Sequence, residues 1–172
     1  EKPLGHSPEG VDELRDEVAR QGLTALVGYQ FRFHPTLRRV REWVHERRIG
    51  QIVSAHAYWG EYLPGWHPWE DYRTGYSARA ELGGGPILTL SHPFDYLSWI
   101  LGPVRRVLAT ASRRSGLEVE TEDVAQIALE HEGGALSSVR LDYARRPPVH
   151  RLELVGSEGT IEWDARSGEA RC

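Results

Sequence analysis

The chain has 172 residues, a net charge of −4 and an isoelectric point near 6.1. Its 40% apolar and 27% charged content is that of an ordinary folded protein, which excludes disordered, collagen-like and coiled-coil classes. The acidic balance argues against a nucleic-acid partner, and the single cysteine, Cys172, excludes an internal disulfide framework and any Cys-based zinc module.

A helix is predicted over 7–21. Ser7 supplies a cap, Pro8 suits the first helical position, Val11, Leu14 and Val18 share a face, and Gly22 provides the stop. The apolar run from Leu23 to Tyr29 then reads as a short buried strand. One such helix–strand unit is a fragment of an α/β layer, because a parallel sheet needs more than one. A second helix is predicted over 35–48, opened by Pro35, striped by Leu37, Val40, Trp43 and Val44, and ended by Gly50. In 51–59, Ala55, Ala57 and Trp59 alternate with Ser54, His56 and Tyr58, as in a half-buried strand.

Between Gly60 and Gly85 periodicity disappears and aromatics accumulate, which marks a functional loop rather than a disordered one. A third helix is predicted from Pro86 to Ile100, stopped by Gly102-Pro103. It lies within the longest apolar run, but His92 and Asp95 interrupt that run, so no membrane span is expected. Residues 1–21 are charged and helix-like rather than a signal peptide, and the expected compartment is the cytoplasm. Strands follow at Val104–Ser112, Asp123–Glu132, Ala135–Ala144, Arg151–Val155 and Gly159–Trp163, joined by the short turns Gly133-Gly134 and 156–159. The expected fold class is α+β, with an open, mostly antiparallel sheet packed on helices.

The third helix carries the clearest chemical signal. Thr89, His92 and Asp95 form a stripe at spacing three, extended by Tyr96 and Trp99, beside an apolar face of Ile87, Leu90, Phe94, Leu97 and Leu101. A hydroxyl, an imidazole and a carboxylate among aromatics suit a cleft wall better than a solvent face. Asp95, one turn beyond His92, is placed to fix its tautomer and raise its basicity; the plain alternative is a satisfied, partly buried histidine. Gly83-Gly84-Gly85 let the backbone approach a ligand and expose helix N–H groups, though without dinucleotide or Walker spacing they also read as a turn. The loop 58–76 has the composition of a sugar or polyol site: flat aromatic faces with Asp71, Arg73 and His67 to address hydroxyls, or equally a packed loop or interface. His34, His67, His92 and Asp71 lack metal-ligand spacing, so no metal is expected.

Of the 21 basic residues, 20 are Arg and one, Lys2, is Lys; Met and Asn are absent. The chain is therefore expected to be a piece of a longer or processed protein from a GC-rich coding background, in which a lone Lys is one that Arg does not replace. Lys2 beside a cleft can donate to a hydroxyl or carbonyl oxygen, and Pro3 holds it extended and permits a cis bond.

Glu1-Lys2-Pro3 some 80 residues before Gly83-Gly84-Gly85, with His92 in the following helix, resembles the Gfo/Idh/MocA family of oxidoreductases (glucose–fructose oxidoreductase, inositol dehydrogenase, rhizopine catabolism). Gly28-Tyr29-Gln30-Phe31-Arg32-Phe33-His34-Pro35 is similar to its crossing strand, and Gly50-Gln51-Ile52 to the lead into its first substrate-domain strand. His92-x-x-Asp95-Tyr96-Leu97-x-Trp99-x-x-Gly102 and Gly156-Ser157-Glu158-Gly159-Thr160-Ile161 also match, in family order over nearly the whole chain.

The resemblance implies that 1–33 is the last helix–strand unit of a Rossmann-type dinucleotide domain. Residues 34–172 would then be an α+β substrate and oligomerisation domain, incomplete at its C-terminus. It implies NAD or NADP as cofactor, a sugar or polyol as substrate, and a homo-oligomer formed through the open sheet. Lys2 and His92 would be catalytic, the first hydrogen-bonding the reacting hydroxyl and the second exchanging its proton. Glu1, Lys2, Pro3 and Gln30 would face the cofactor. Arg32, Tyr62, Trp66, His67, Asp71, Arg73, Thr89 and Asp95 would face the substrate. Thr89 stands where many members carry Asp, which shifts the proton-transfer load to His92, and Gln30 stands where Asn is common. The alternative is a non-catalytic sugar-binding or assembly module on the same fold; a metal-dependent hydrolase is a weaker third.

Overall fold

The computed structural model describes residues 2–172. Its seven strands are β1 (Ile52–Gly60), β2 (Val104–Ser112), β3 (Val124–His131), β4 (Leu136–Asp142), β5 (Val149–Gly156), β6 (Thr160–Asp164) and β7 (Glu169–Arg171). They form one sheet in the order β2-β3-β4-β1-β5-β6-β7, antiparallel except for β1 against β4. The expected open, mostly antiparallel α+β fold is present. The short edge strand β7 lay beyond the predicted elements.

One face of the sheet is covered. Ala55 and Ala57 on β1, Ile127 and Leu129 on β3, Val139 and Leu141 on β4, Leu152 and Leu154 on β5, and Ile161 and Trp163 on β6 are buried there. They pack with α2 (Pro35–His45) and α4 (His92–Leu101), whose Leu37, Val40, Tyr96 and Leu97 are fully enclosed. Each such Leu or Ile contributes roughly 1.5–3 kcal/mol of transfer free energy. The opposite face presents His56, Tyr58, Gln126, Arg140, Arg151 and Glu153 on alternate positions, so period two separates the two sides.

Four local expectations change. Helix α1 (Val11–Gln21) begins after Gly10, not at Ser7, whose hydroxyl accepts the Glu9 N–H within a preceding turn. Gly22 ends α1 in the left-handed conformation, as expected. Residues 23–29 pair with no strand among the described residues; Leu23 and Leu26 are exposed, and an apolar run without a hydrogen-bonding neighbour has no ladder to join. Helix α2 stops at His45, before Gly50, because Arg47 takes a left-handed φ of 55°. The helix predicted over 86–100 is two helices, α3 (Pro86–Thr89) and α4, broken at Leu90–Ser91. Pro93 has no N–H to continue a helix from α3, but it is tolerated in the first turn of a new one.

Candidate functional site

The break after α3 creates the site's geometry. Thr89 closes α3, and its carbonyl turns outward to accept a hydrogen bond from the Lys2 ammonium. The Lys2–Pro3 bond is cis, in the conformation that Pro3 permits. Lys2 and Pro3 line a cleft of about 510 Å³ with Gly5, His6, Tyr76, Leu82, Gly83, Leu88 and Thr89. His92, at the start of α4, is only 2% exposed. Its pKa is lowered to about 4, first by burial and then by the positive charge of Lys2. Lys2 and His92 are therefore within electrostatic reach of each other, and His92 is a neutral imidazole at ordinary pH.

The Thr89 side chain points away from the cleft. Its hydroxyl donates to the Gly85 carbonyl at 2.8 Å and meets the Tyr143 hydroxyl at 2.5 Å; Tyr143 also reaches the Ser77 carbonyl. Thr89 thus contributes its main chain to the cleft while its side chain locks the turn to β4's end. The three glycines do not open a helix terminus to a ligand. A Cβ on Gly85 would sit 2.4 Å from the Glu122 carboxylate, and one on Gly83 would sit 2.5 Å from His6. Glu122 accepts the Ile87 N–H at 3.3 Å, so the helix end is already served by an anion of the chain itself.

Asp95 does not set the His92 tautomer. Its carboxylate, almost wholly buried, takes three hydrogen bonds of 2.6–3.1 Å from the Arg32 guanidinium. The break after Thr89 rotates the stripe, so spacing three across 89–95 does not bring the groups together. Arg32 and Asp95 are thereby joined, and the Arg32 pKa is raised chiefly by that bond. Gln30 begins a short 3-10 turn, Gln30–Phe33, and is exposed. Glu1 lies outside the described residues.

The aromatic loop is a string of 3-10 turns rather than irregular chain. Tyr62 lies under the Arg146 guanidinium at 3.9 Å, and Trp66 stands edge-on to Tyr143. His67 and Trp69 pack on each other at the surface. Arg73 is bidentate to Asp71 and also reaches Glu118, which holds the Asp71 carboxyl below its ordinary value. The Lys2 cleft receives Tyr76, Leu82 and Gly83 from this region; Tyr62, Trp66, His67, Asp71 and Arg73 are not among its lining residues, nor are Arg32, His92 and Asp95. Among the described residues no group of three or more His, Cys, Asp or Glu is arranged to hold a metal, and no helix is long and apolar enough to cross a membrane.

Sequence reasoning missed the residues that surround His92. Phe31 stands edge-on at 4.7 Å, Tyr29 edge-on at 5.7 Å, and Trp59 near-parallel at 5.7 Å. Behind them His150 is buried, and burial with the nearby His92 pushes its pKa down. The available signal was period two: His150 precedes Leu152 and Leu154 on the inward face of β5, one residue before the predicted strand start. Tyr143, just past β4, was visible only as the end of a strand.

Comparisons with known proteins bear on the family and the fold. The chain is 28% identical to "Uncharacterized oxidoreductase sll0816" of Synechocystis sp. over 94% of its own length and 46% of that protein's. It is also 28% identical to D-apiose dehydrogenase of Paraburkholderia graminis, over 85% of this chain and 38% of that protein. It thus spans somewhat under half the length of these curated relatives. The WlbA dehydrogenase of Bordetella pertussis, solved with NADH and UDP-GlcNAcA, shares the fold at a TM-score of 0.82. That match has 24% identity and covers 95% of this chain and 50% of that one. Residues 37–162 match the model of the GFO/IDH/MocA C-terminal domain, and the chain belongs to the Gfo/Idh/MocA oxidoreductase family.

Proposed function

We propose that this chain is the substrate-side portion of an NAD(P)-dependent dehydrogenase that acts on a sugar or polyol hydroxyl carbon. The observation that carries the reading is that Lys2 is held by the carbonyl of Thr89, three residues before His92, close enough for its charge to act with burial in lowering the imidazole's pKa. Residues 1–33 are then the remnant of a dinucleotide-binding domain, and 34–172 the substrate and oligomerisation domain. The apolar walls Pro3, Leu82 and Leu88 beside a single ammonium suit the flat nicotinamide end of NAD or NADP, which Lys2, Pro3 and Gln30 would hold. When bound, that group accepts or returns a hydride. Lys2 donates a hydrogen bond to the reacting oxygen and stabilises its negative charge. His92, uncharged, takes the hydroxyl proton during oxidation and returns it during reduction. Tyr76, from the cleft wall, and Arg32, paired with Asp95, would face the substrate. The uncovered polar face of the sheet is the surface through which two copies of the chain would pair.

The test is turnover by the full protein over a panel of sugars and polyols with NAD and NADP. Lys2→Ala and His92→Ala are expected to lower kcat/KM by about 100-fold or more, the scale of lost acid–base and oxyanion stabilisation. Unchanged turnover in both variants would remove these roles. A second reading, a non-catalytic sugar-binding module, draws on Thr89, whose hydroxyl is fully engaged within the chain. Sugar binding without turnover with either cofactor would favour it.

A further inference from the structure

Among the described residues, the usual device for aiming a catalytic imidazole, a carboxylate on its second nitrogen, is missing: Asp95 is spent on Arg32, and the His92 Nδ1 is buried with no hydrogen-bond partner. Something other than a hydrogen bond must therefore hold the ring. We infer that Phe31, Trp59 and His150 form a packed platform that positions the imidazole of His92, with Trp59 as the plate and His150 as its backing. This inference rests on the proposed role of His92.

The geometry is built from four separate elements. Trp59 near the end of β1 and His150 near the start of β5 are directly opposite each other in the antiparallel ladder. That register puts the indole and imidazole face to face, with centroids 4.1 Å apart and planes 7° from parallel. The Trp59 Nε1 donates to Glu61 at 2.7 Å, which fixes the indole's rotation. His92 lies over the same indole with its plane 24° away. Phe31, from the turn before α2, closes the arrangement by standing edge-on to both imidazoles, at 4.7 Å from His92 and 4.8 Å from His150. Tyr96 and Trp163 wall off the far side of His150.

His150 is the unusual member. Its Nε2 is buried and, among the described residues, has no hydrogen-bond partner, an arrangement less favourable than an apolar side chain of the same shape. The ring is therefore kept for shape: it is flat, small enough for the slot between Trp59 and Trp163, and uncharged. Groups facing the two imidazoles are the Lys2 ammonium and the Tyr29 ring at His92, and the His34 imidazole and Asp164 carboxylate at His150. Burial and the Lys2 charge outweigh the others at His92, and burial outweighs Asp164 at His150. Both rings stay neutral, and the platform presents His92 as a base in one orientation.

The experiment follows each histidine C–H resonance against pH in the full protein, alongside turnover, for Trp59→Leu, Trp59→Phe, His150→Ala and His150→Phe. Trp59→Leu and His150→Ala should raise the His92 midpoint by about one pH unit or more as water enters, and lower kcat about 10-fold or more with KM within two-fold. Trp59→Phe should fall between these variants and the parent. His150→Phe restores a flat ring and should recover most of the loss. Equal damage from His150→Phe and His150→Ala would overturn the inference, because it would assign His150 a polar role instead. So would an unmoved His92 midpoint in a folded Trp59→Leu or Trp59→Phe protein. A protein that shows the midpoint shifts but no turnover with any cofactor would keep the platform and lose the dehydrogenase.

Discussion

Helix α1 buries none of its side chains, and Leu26 beyond it is 85% exposed. In the layer between sheet and helices, Leu37, Leu154 and Ile161 have no exposed surface at all. The candidate site draws one residue from each region: Lys2 from the lightly packed amino-terminal stretch and His92 from the enclosed layer. Lys2 is tied by polar contacts that include the Thr89 carbonyl, whereas His92 is gripped by rings on three sides. The contrast separates two ways of fixing a group. Polar tethering sets where a charge sits, and close packing sets both place and angle.

That contrast can be broken most decisively at Trp163. It is 1% exposed, contacts Phe31, His34, Tyr96 and His150, and donates through Nε1 to Thr36 at 2.9 Å. Trp163→Ala should cost about 3–5 kcal/mol in denaturant unfolding, the range for a large aromatic cavity. A smaller loss would mean that the layer collapses onto the gap.

Acid gives the next largest effect. His92 titrates near 4 in the folded chain and near its ordinary value when unfolded, so between those values the unfolded chain binds more protons. Stability should therefore fall as pH drops through about 6.5 towards 4, with His92 accounting for roughly 3 kcal/mol at most. His150 adds a loss of the same sign. A denaturation midpoint that stays level from pH 6.5 to 4.5 would contradict the burial of both rings. The smallest effect belongs to the amino-terminal region: in this 172-residue chain Leu26→Ser should change stability by less than about 0.5 kcal/mol, because the side chain is exposed among the described residues.

The pattern from β3 to β6 was legible because burial alternates along these strands and the turns between them are short. Leu152 and Leu154 face inward and Arg151 and Glu153 outward, a signal carried by neighbours in sequence. Lys2 and His92 stood out by residue type and motif. The break between Thr89 and His92 was not anticipated, since apolar spacing alone continues through it; Pro93 was the local clue. Arg32–Asp95 and Trp59–His150 join residues 63 and 91 positions apart. No periodicity encodes such pairs, because they follow from how the sheet is ordered. The run 23–29 pairs with no strand among the described residues: apolar content predicts burial, but a strand also needs a neighbour to bond.

The parallel pairing of β1 with β4 has a consequence for how the chain reaches this structure. β1 is the first strand of this sheet to emerge during synthesis, yet both of its neighbours come late: Ser54 meets Leu136 on one side and Val155 on the other. Until more than 80 further residues have been made, the centre of the sheet is a strand with two bare edges. β2, β3 and β4 can zip as successive antiparallel neighbours in the meantime, leaving a slot for β1 that β5 then closes. A sheet assembled from its flank inward, around a central strand kept waiting, folds slowly for its size and presents its stickiest edge to other chains while it does so.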